Sequence, residues 1–259
     1  MAVRVACTPG KMPPNCGKGV ILVAPHAVEE PETGLIVEHA AKLLKCQSVV
    51  NWGFQRDCAL VDVNKDQADC NKCSHVKEPV VYDEFLKPLY KGFDKSCEWF
   101  HSHHRWFDTP VDDTACLIFY VLGCSNEVIA RDGCTKECIV GWGKGSKKDS
   151  PTCKQWRKNL FINTYRDRLR DLDNNTVQKL GDVVEGDSAA WSGRGTEEMN
   201  QFFRKHNQNR FIDSLQLYYP KQILKNNSLL PYMGLTLVKT IEKVREAVSY
   251  DQIPYLKTV

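Results

Sequence analysis

The sequence has no apolar stretch long enough to cross a bilayer as a helix. The longest run of interest, residues 115–124, is ten residues, against the roughly 20 that a spanning helix needs, so no membrane segment is expected. Residues 1–16 mix Pro, Lys and Asn without the apolar core of a secretory signal, which leads to an expected cytoplasmic location with reduced thiols. Repeats are missing, and so are Ser/Gly/Pro-rich or single-charge linkers, so residues 1–259 read as one domain. With 16 Gly and 12 Pro, the chain has too little of either for a collagenous or low-complexity protein. Charge of one sign is scarce as well: 35 Lys and Arg against 32 Asp and Glu leave a net charge of +3, which demands neither nucleic acid nor a membrane as partner. What is plentiful is apolar residues, at 42%, and cysteine, at 12. In a reducing compartment those thiols are buried hydrophobes, metal ligands or reactive groups before they are disulfides.

Residues 19–24 form a β-branched apolar run ending at Pro25 and His26, the pattern of a strand buried on both faces. Thr33 then stands as an N-cap for a helix over residues 34–45, where Leu35, Ile36, Ala40, Leu43 and Leu44 keep a helical period. Residues 48–54 and 58–64 read as strands. Residues 82–100 read as a long helix, kinked at Pro88. Residues 115–122, 138–142 and 211–219 are further strands; residues 156–169, 197–206 and 230–248 are helices, the last with Leu235, Val238, Ile241, Val244 and Val248 along one side. Residues 174–193 read as surface. Apolar strands alternating with amphipathic helices predict a three-layer α/β/α domain with a mainly parallel central sheet, whose ligands sit at the carboxyl ends of the strands.

The first strand delivers His26, Glu29, Glu30 and Glu32 to that edge. Imidazole nitrogen with carboxylate oxygen suits zinc, and a zinc ion with an open position acidifies a bound water. The alternative is a loop histidine with solvated acids near a helix amino terminus, where negative charge is favoured in any case. Asn64 and Lys65 end a later strand, with Arg56 just ahead of it, and all three offer donors to an anionic ligand: a planar fork, an amide and a point charge.

In order and spacing these segments resemble the N-formylglutamate amidohydrolase family, relatives of the zinc carboxypeptidases. The likeness rests on Pro25 and His26 through Thr33, on Asp62, Val63, Asn64 and Lys65, on the helix over 82–100, on the strand from Cys116 to Leu122, on Val140 to Gly143, and on Leu215, Gln216 and Leu217. The resemblance implies zinc held by His26 and either Glu29 or Glu30. It implies a ligand carboxylate held by Arg56, Asn64 and Lys65, with Gln216 among the substrate contacts and Glu29, Glu30 and Arg56 as catalytic candidates. The implied reaction is hydrolysis of an amide bond next to a carboxylate, in N-acyl amino acids. Two positions depart from the family pattern. Gly123 and Cys124 stand where the family ends a strand in a metal-binding histidine, so Cys124 becomes the candidate third ligand. Tyr218 stands where the family has its water-activating acid, which leaves Glu29, Glu30 or no residue as the base. A relative that binds a small or polymeric anion without catalysis is the competing expectation.

Three other groups compete for attention. Cys70 and Cys73, with Cys134 and Cys138, have the spacing of a loose four-thiolate zinc site, against a reading as free thiols. His101, His103 and His104 end the long helix, with His103 a reserve ligand. Lys154, Arg157, Lys158, Arg166, Arg168 and Arg170 make residues 156–169 and their flanks basic. Trp156, Phe161 and Tyr165 sit there at core spacing rather than as a stacking platform, so a solvated basic face is expected and nucleic acid is not.

Overall fold

The computed structural model describes residues 3–6, 19–54, 81–89, 116–124, 138–144, 151–172, 175, 182–186, 191–193, 199–201 and 212–251. Among the described residues seven strands form one sheet: β1 (Val3–Ala6), β2 (Val20–Ala24), β3 (Gln47–Asn51), β4 (Cys116–Cys124), β5 (Cys138–Gly141), β6 (Val183–Glu185) and β7 (Ile212–Pro220), in the order β1-β3-β2-β4-β7-β5-β6. β3, β2, β4 and β7 run parallel, β1 is antiparallel to β3, β5 is antiparallel to β7, and β6 follows β5 in parallel. The strand predicted over residues 58–64 lies outside the described residues.

Burial on both faces explains the uninterrupted apolar strands. Leu117, Phe119 and Val121 of β4 join a core with Leu215, Leu217 and Tyr219 of β7, while the alternate residues Ile118, Tyr120 and Leu122 are buried without belonging to it. Three helices cover the first face: α1 (Pro31–Leu44), α2 (Gln155–Arg170) and, after the single-turn α3 (Lys221–Leu224), α4 (Leu230–Asp251). α1 and α2 both pack on α4. Phe161 of α2 stacks on Phe119 with ring centroids 5.4 Å apart. On the other face residues 81–89 lie against β3, tied by Gln47 Nε2 donating to the Pro88 carbonyl at 3.1 Å. The kink expected at Pro88 takes the form of a π-helical turn, Tyr82–Leu86, in which the Lys87 N–H reaches back to the Tyr82 carbonyl. Proline has no N–H for the ordinary ladder, and the turn widens just before it. Residues 90–100 of the predicted helix lie outside the described ones.

Three expectations change. α1 starts at Pro31, whose fixed φ and missing N–H suit the first helical position, so Thr33 falls inside the first turn and its hydroxyl donates to the Glu30 carbonyl at 2.7 Å instead of capping. In α4 the buried stripe is Met233, Leu237, Val238, Ile241 and Val244, whereas Leu235 is 44% exposed. Parts of residues 174–193 leave the surface: Val183 to Glu185 form a strand of the sheet, with Val183 buried, and Trp191 and Ser192 are buried. β6 has three residues, too short for alternation to show.

The basic helix is partly an internal one. Arg157 is buried and pairs with Asp213 of β7 at 2.6 Å, Lys158 is buried and pairs with Glu185, and Arg166 pairs with Asp182 at 3.0 Å. Lys158 also lies over Trp142, 4.6 Å from the ring centroid. Much of the charge therefore serves to anchor α2 to β6 and β7. Among the described residues, no helix is long and apolar enough to cross a membrane.

Candidate functional site

The turn after β2 is built on the main chain of His26. Its carbonyl accepts from the N–H groups of Glu29 at 3.0 Å and Glu30 at 2.8 Å, so three candidate residues are fixed in one loop at the carboxyl edge of the sheet. His26 and Glu30 are buried, and Glu29 is half-buried. Asn51, at the end of β3, clamps the loop from the side. Its Nδ2 donates to the carbonyls of Pro25 at 2.8 Å and Phe54 at 2.7 Å, and its Oδ1 accepts from the Phe54 N–H at 2.8 Å. The sequence reading missed Asn51, because an asparagine ending a strand looks like ordinary turn chemistry.

Glu30 connects this loop to β4. The Gly123 N–H donates to Glu30 Oε2 at 2.6 Å, a bond across 93 residues of chain. A side chain at position 123 would not fit: a Cβ there would lie 2.8 Å from Glu30 Cδ. Glu30 is thus a latch from the start of α1 to the end of β4, and it brings the backbone of Cys124, the next residue, to the same edge as His26. The side chain of Cys124 lies outside the described residues.

β7 brings the third part. Its register sets Gln216 opposite Tyr120, Tyr218 opposite Leu122, and Tyr219 opposite Gly123. Gln216 and Tyr218 share one face, as strand alternation requires, and the Tyr218 hydroxyl donates to Gln216 Oε1. Trp191 meets Tyr218 edge-on, with centroids 5.2 Å apart and planes at 74°. Tyr219 points to the opposite face, where its hydroxyl lies 2.9 Å from that of Tyr165. Burial pushes both phenols well above their usual range, so neither is a base at neutral pH.

Behind Tyr218 lies a polar group that sequence reasoning did not identify. Gly193, at φ +64, runs against Asn200 and Gln216: a Cβ on it would be 2.6 Å from Asn200 Nδ2 and 2.7 Å from Gln216 Oε1. Gly193→Ala should therefore cost about 1–3 kcal/mol of stability, read as a lower urea midpoint at unchanged slope, because it combines a strained backbone region with a clash.

Of the remaining candidates, Arg56, Asn64, Lys65, Cys70, Cys73, His101, His103, His104 and Cys134 lie outside the described residues. Cys138 is in the interior, hydrogen-bonded to the Tyr219 hydroxyl, in the setting of a core thiol. Among the described residues, no group of three or more His, Cys, Asp or Glu side chains is positioned to hold a metal ion. His26 and Glu29 are two donors whose chemistry suits zinc, and no third donor joins them among the described side chains.

No protein-family model and no curated relative matches the sequence. Solved structures do match, at low identity. A bacteriophage poly-gamma-glutamate hydrolase is 9% identical with a TM-score of 0.51, covering 95% of this chain and 91% of its own. An N-formylglutamate amidohydrolase from Ralstonia eutropha is 12% identical with a TM-score of 0.52, covering 95% of this chain and 100% of its own. A gene product of Agrobacterium tumefaciens is 9% identical with a TM-score of 0.53, covering 95% and 94%. These likenesses are of fold.

Proposed function

We propose that the carboxyl edge of β2, β4 and β7 is an amidohydrolase-like site that binds N-acyl amino acids and acts on the amide bond next to their carboxylate. The observation that carries this reading is the loop holding a buried His26 together with Glu29 and Glu30, latched to the end of β4 through Gly123. Support comes from the fold shared with proteins named for acting on poly-gamma-glutamate and N-formylglutamate. Fold alone does not determine chemistry, so the argument rests on the site.

His26 and Glu29 would hold a zinc ion, with Cys124 at the third position. When bound, zinc supplies Lewis acidity toward the amide carbonyl and an acidified water. We assign Glu30 a different task, since one of its oxygens, Oε2, accepts from the Gly123 N–H. Glu30→Gln should therefore keep the metal while costing about 1–3 kcal/mol of stability. Glu29→Gln should weaken metal retention at unchanged stability. Metal analysis alongside urea unfolding separates the two roles, and the reverse pattern would exchange the assignments.

Arg56, Asn64 and Lys65 would hold the ligand's carboxylate. Arg56→Lys keeps the charge and loses the planar fork, so calorimetric affinity for N-acetyl-L-glutamate should fall by about tenfold. Equal affinity in both proteins rejects the clamp.

One observation favours slow turnover or pure binding: Tyr218, which the resemblance sets at the water-activating position at the end of β7, is a phenol donating to Gln216, not a carboxylate. The deciding experiment is calorimetry and hydrolysis measured on the same zinc-loaded protein with N-acetyl-L-glutamate. Binding with slow or absent turnover fits this reading, and absence of binding rejects it.

A further inference from the structure

Asn200 is fully buried, and neither Nδ2 nor Oδ1 has a hydrogen-bond partner among the described residues. The hydroxyl of Ser192, also fully buried, has none either. Buried polar atoms are nearly always paired, and a carboxamide with its donor and its acceptor both unused is a costly arrangement unless something else pairs with it. The position is informative. Asn200 Nδ2 and Gln216 Oε1 flank the same face of Gly193, and the short segment from Trp191 to Gly193 lies over both, tied by the Gly143 N–H donating to the Ser192 carbonyl at 2.6 Å. Gln216 lies three residues before Tyr219, which is level with Gly123 at the edge. That is about 10 Å along the strand, a span of two to three extended residues.

We infer that Asn200, with Ser192 and Gln216 beside it, is a specificity-determining subsite for a secondary amide of the ligand. Oδ1 accepts the N–H of that amide, and Nδ2 donates to a neighbouring carbonyl of the ligand chain, since a trans amide points its own N–H and C=O in opposite directions, once the segment from Trp191 to Gly193 is displaced. The inference rests on the reading of the carboxyl edge as an acyl-amino-acid site and extends it. The amide read by Asn200 is not the one beside the carboxylate at the edge but one further along, so the preferred ligand is a short peptide-like chain rather than a single acylated residue.

The test uses two probes on the full chain: N-acetyl-L-glutamyl-L-glutamate, and its analogue with an ester oxygen replacing the N–H of the acetyl amide, the one further from the terminal carboxylate. A site built around an amide discriminates against the analogue that lacks its N–H. Wild type should prefer the amide by about tenfold or more, and Asn200→Leu, of the same branched shape and without polar atoms, should bind the amide about tenfold more weakly and show no preference. A purely structural asparagine would not move the amide-to-ester ratio, so an unchanged ratio in Asn200→Leu overturns the inference while leaving the edge site standing. Should Asn200→Leu fail to fold, Asn200→Asp retains the acceptor and loses the donor, and an undiminished affinity for the amide probe in that variant overturns it equally. If wild type binds neither probe nor N-acetyl-L-glutamate, the site reading fails first, and this inference with it.

Discussion

Purified protein supplied with zinc should carry about one equivalent per chain and lose roughly half or more of it when His26 is replaced by Ala, because an open tetrahedral site with three protein ligands does not survive the loss of one. The structure makes this substitution a clean probe. His26 holds its loop together through its carbonyl, which accepts from Glu29 and Glu30, and through the neighbouring Pro25 carbonyl bound by Asn51. None of these bonds uses the imidazole, so the main chain of the loop should persist, and metal loss should not be a by-product of unfolding. The melting temperature of the metal-free variant, compared with metal-free wild type, checks this. Unchanged stoichiometry removes His26 from the site. If the metal instead leaves in Cys70→Ser or Cys73→Ser, it belongs to the cysteine loops and stabilises structure, not a reaction. The interior position of Cys138 already weakens a four-thiolate site that includes it.

The central strands were legible because burial on both faces imposes a local pattern that needs no partner to be seen. Val20 to Ala24 and Cys116 to Cys124 are apolar throughout, and their place in the middle of a mostly parallel sheet accounts for it. The candidate loop was legible for a related reason: a strand of this kind must end at an edge, and His26 follows it. Contacts between distant segments were not legible. Nothing local to Glu30 announces its bond to Gly123, which arrives beside it through the pairing of β2 with β4. Likewise Arg157 and Lys158 look like part of a solvated basic face until β7 and β6 bring Asp213 and Glu185 to them. Asn200 and Ser192 sit in stretches with no periodicity, and their importance comes from hydrogen bonds they do not make, which no sequence pattern records.

Tyr218→Glu should raise the turnover of N-acyl amino acids by about 100- to 10,000-fold if the end of β7 is where this fold activates water, since that is the usual range of general-base assistance. A phenol with an ordinary pKa near 10 is almost wholly protonated at neutral pH and is a poor base. In the structure Tyr218 acts as a donor, its hydroxyl bonded to Gln216 Oε1, and Trp191 shields its ring. A carboxylate introduced there enters a buried position with an acceptor oxygen nearby. Both features favour the protonated acid, so its pKa should rise from the ordinary value near 4.3 toward neutrality, where a general base works best. The rate of the variant should therefore climb with pH through that raised value and level off above it, giving a profile that wild type lacks. The substitution also has a cost: the contact with Trp191 is lost and the Gln216 oxygen loses its donor, so a lower melting temperature is expected alongside the faster reaction. Stability falling while rate rises distinguishes a restored base from a merely loosened site, because loosening gives no new pH dependence. Efficient wild-type turnover that is insensitive to Glu29→Gln and Glu30→Gln would mean that the water is activated elsewhere, and that β7 contributes a wall of the site rather than its chemistry.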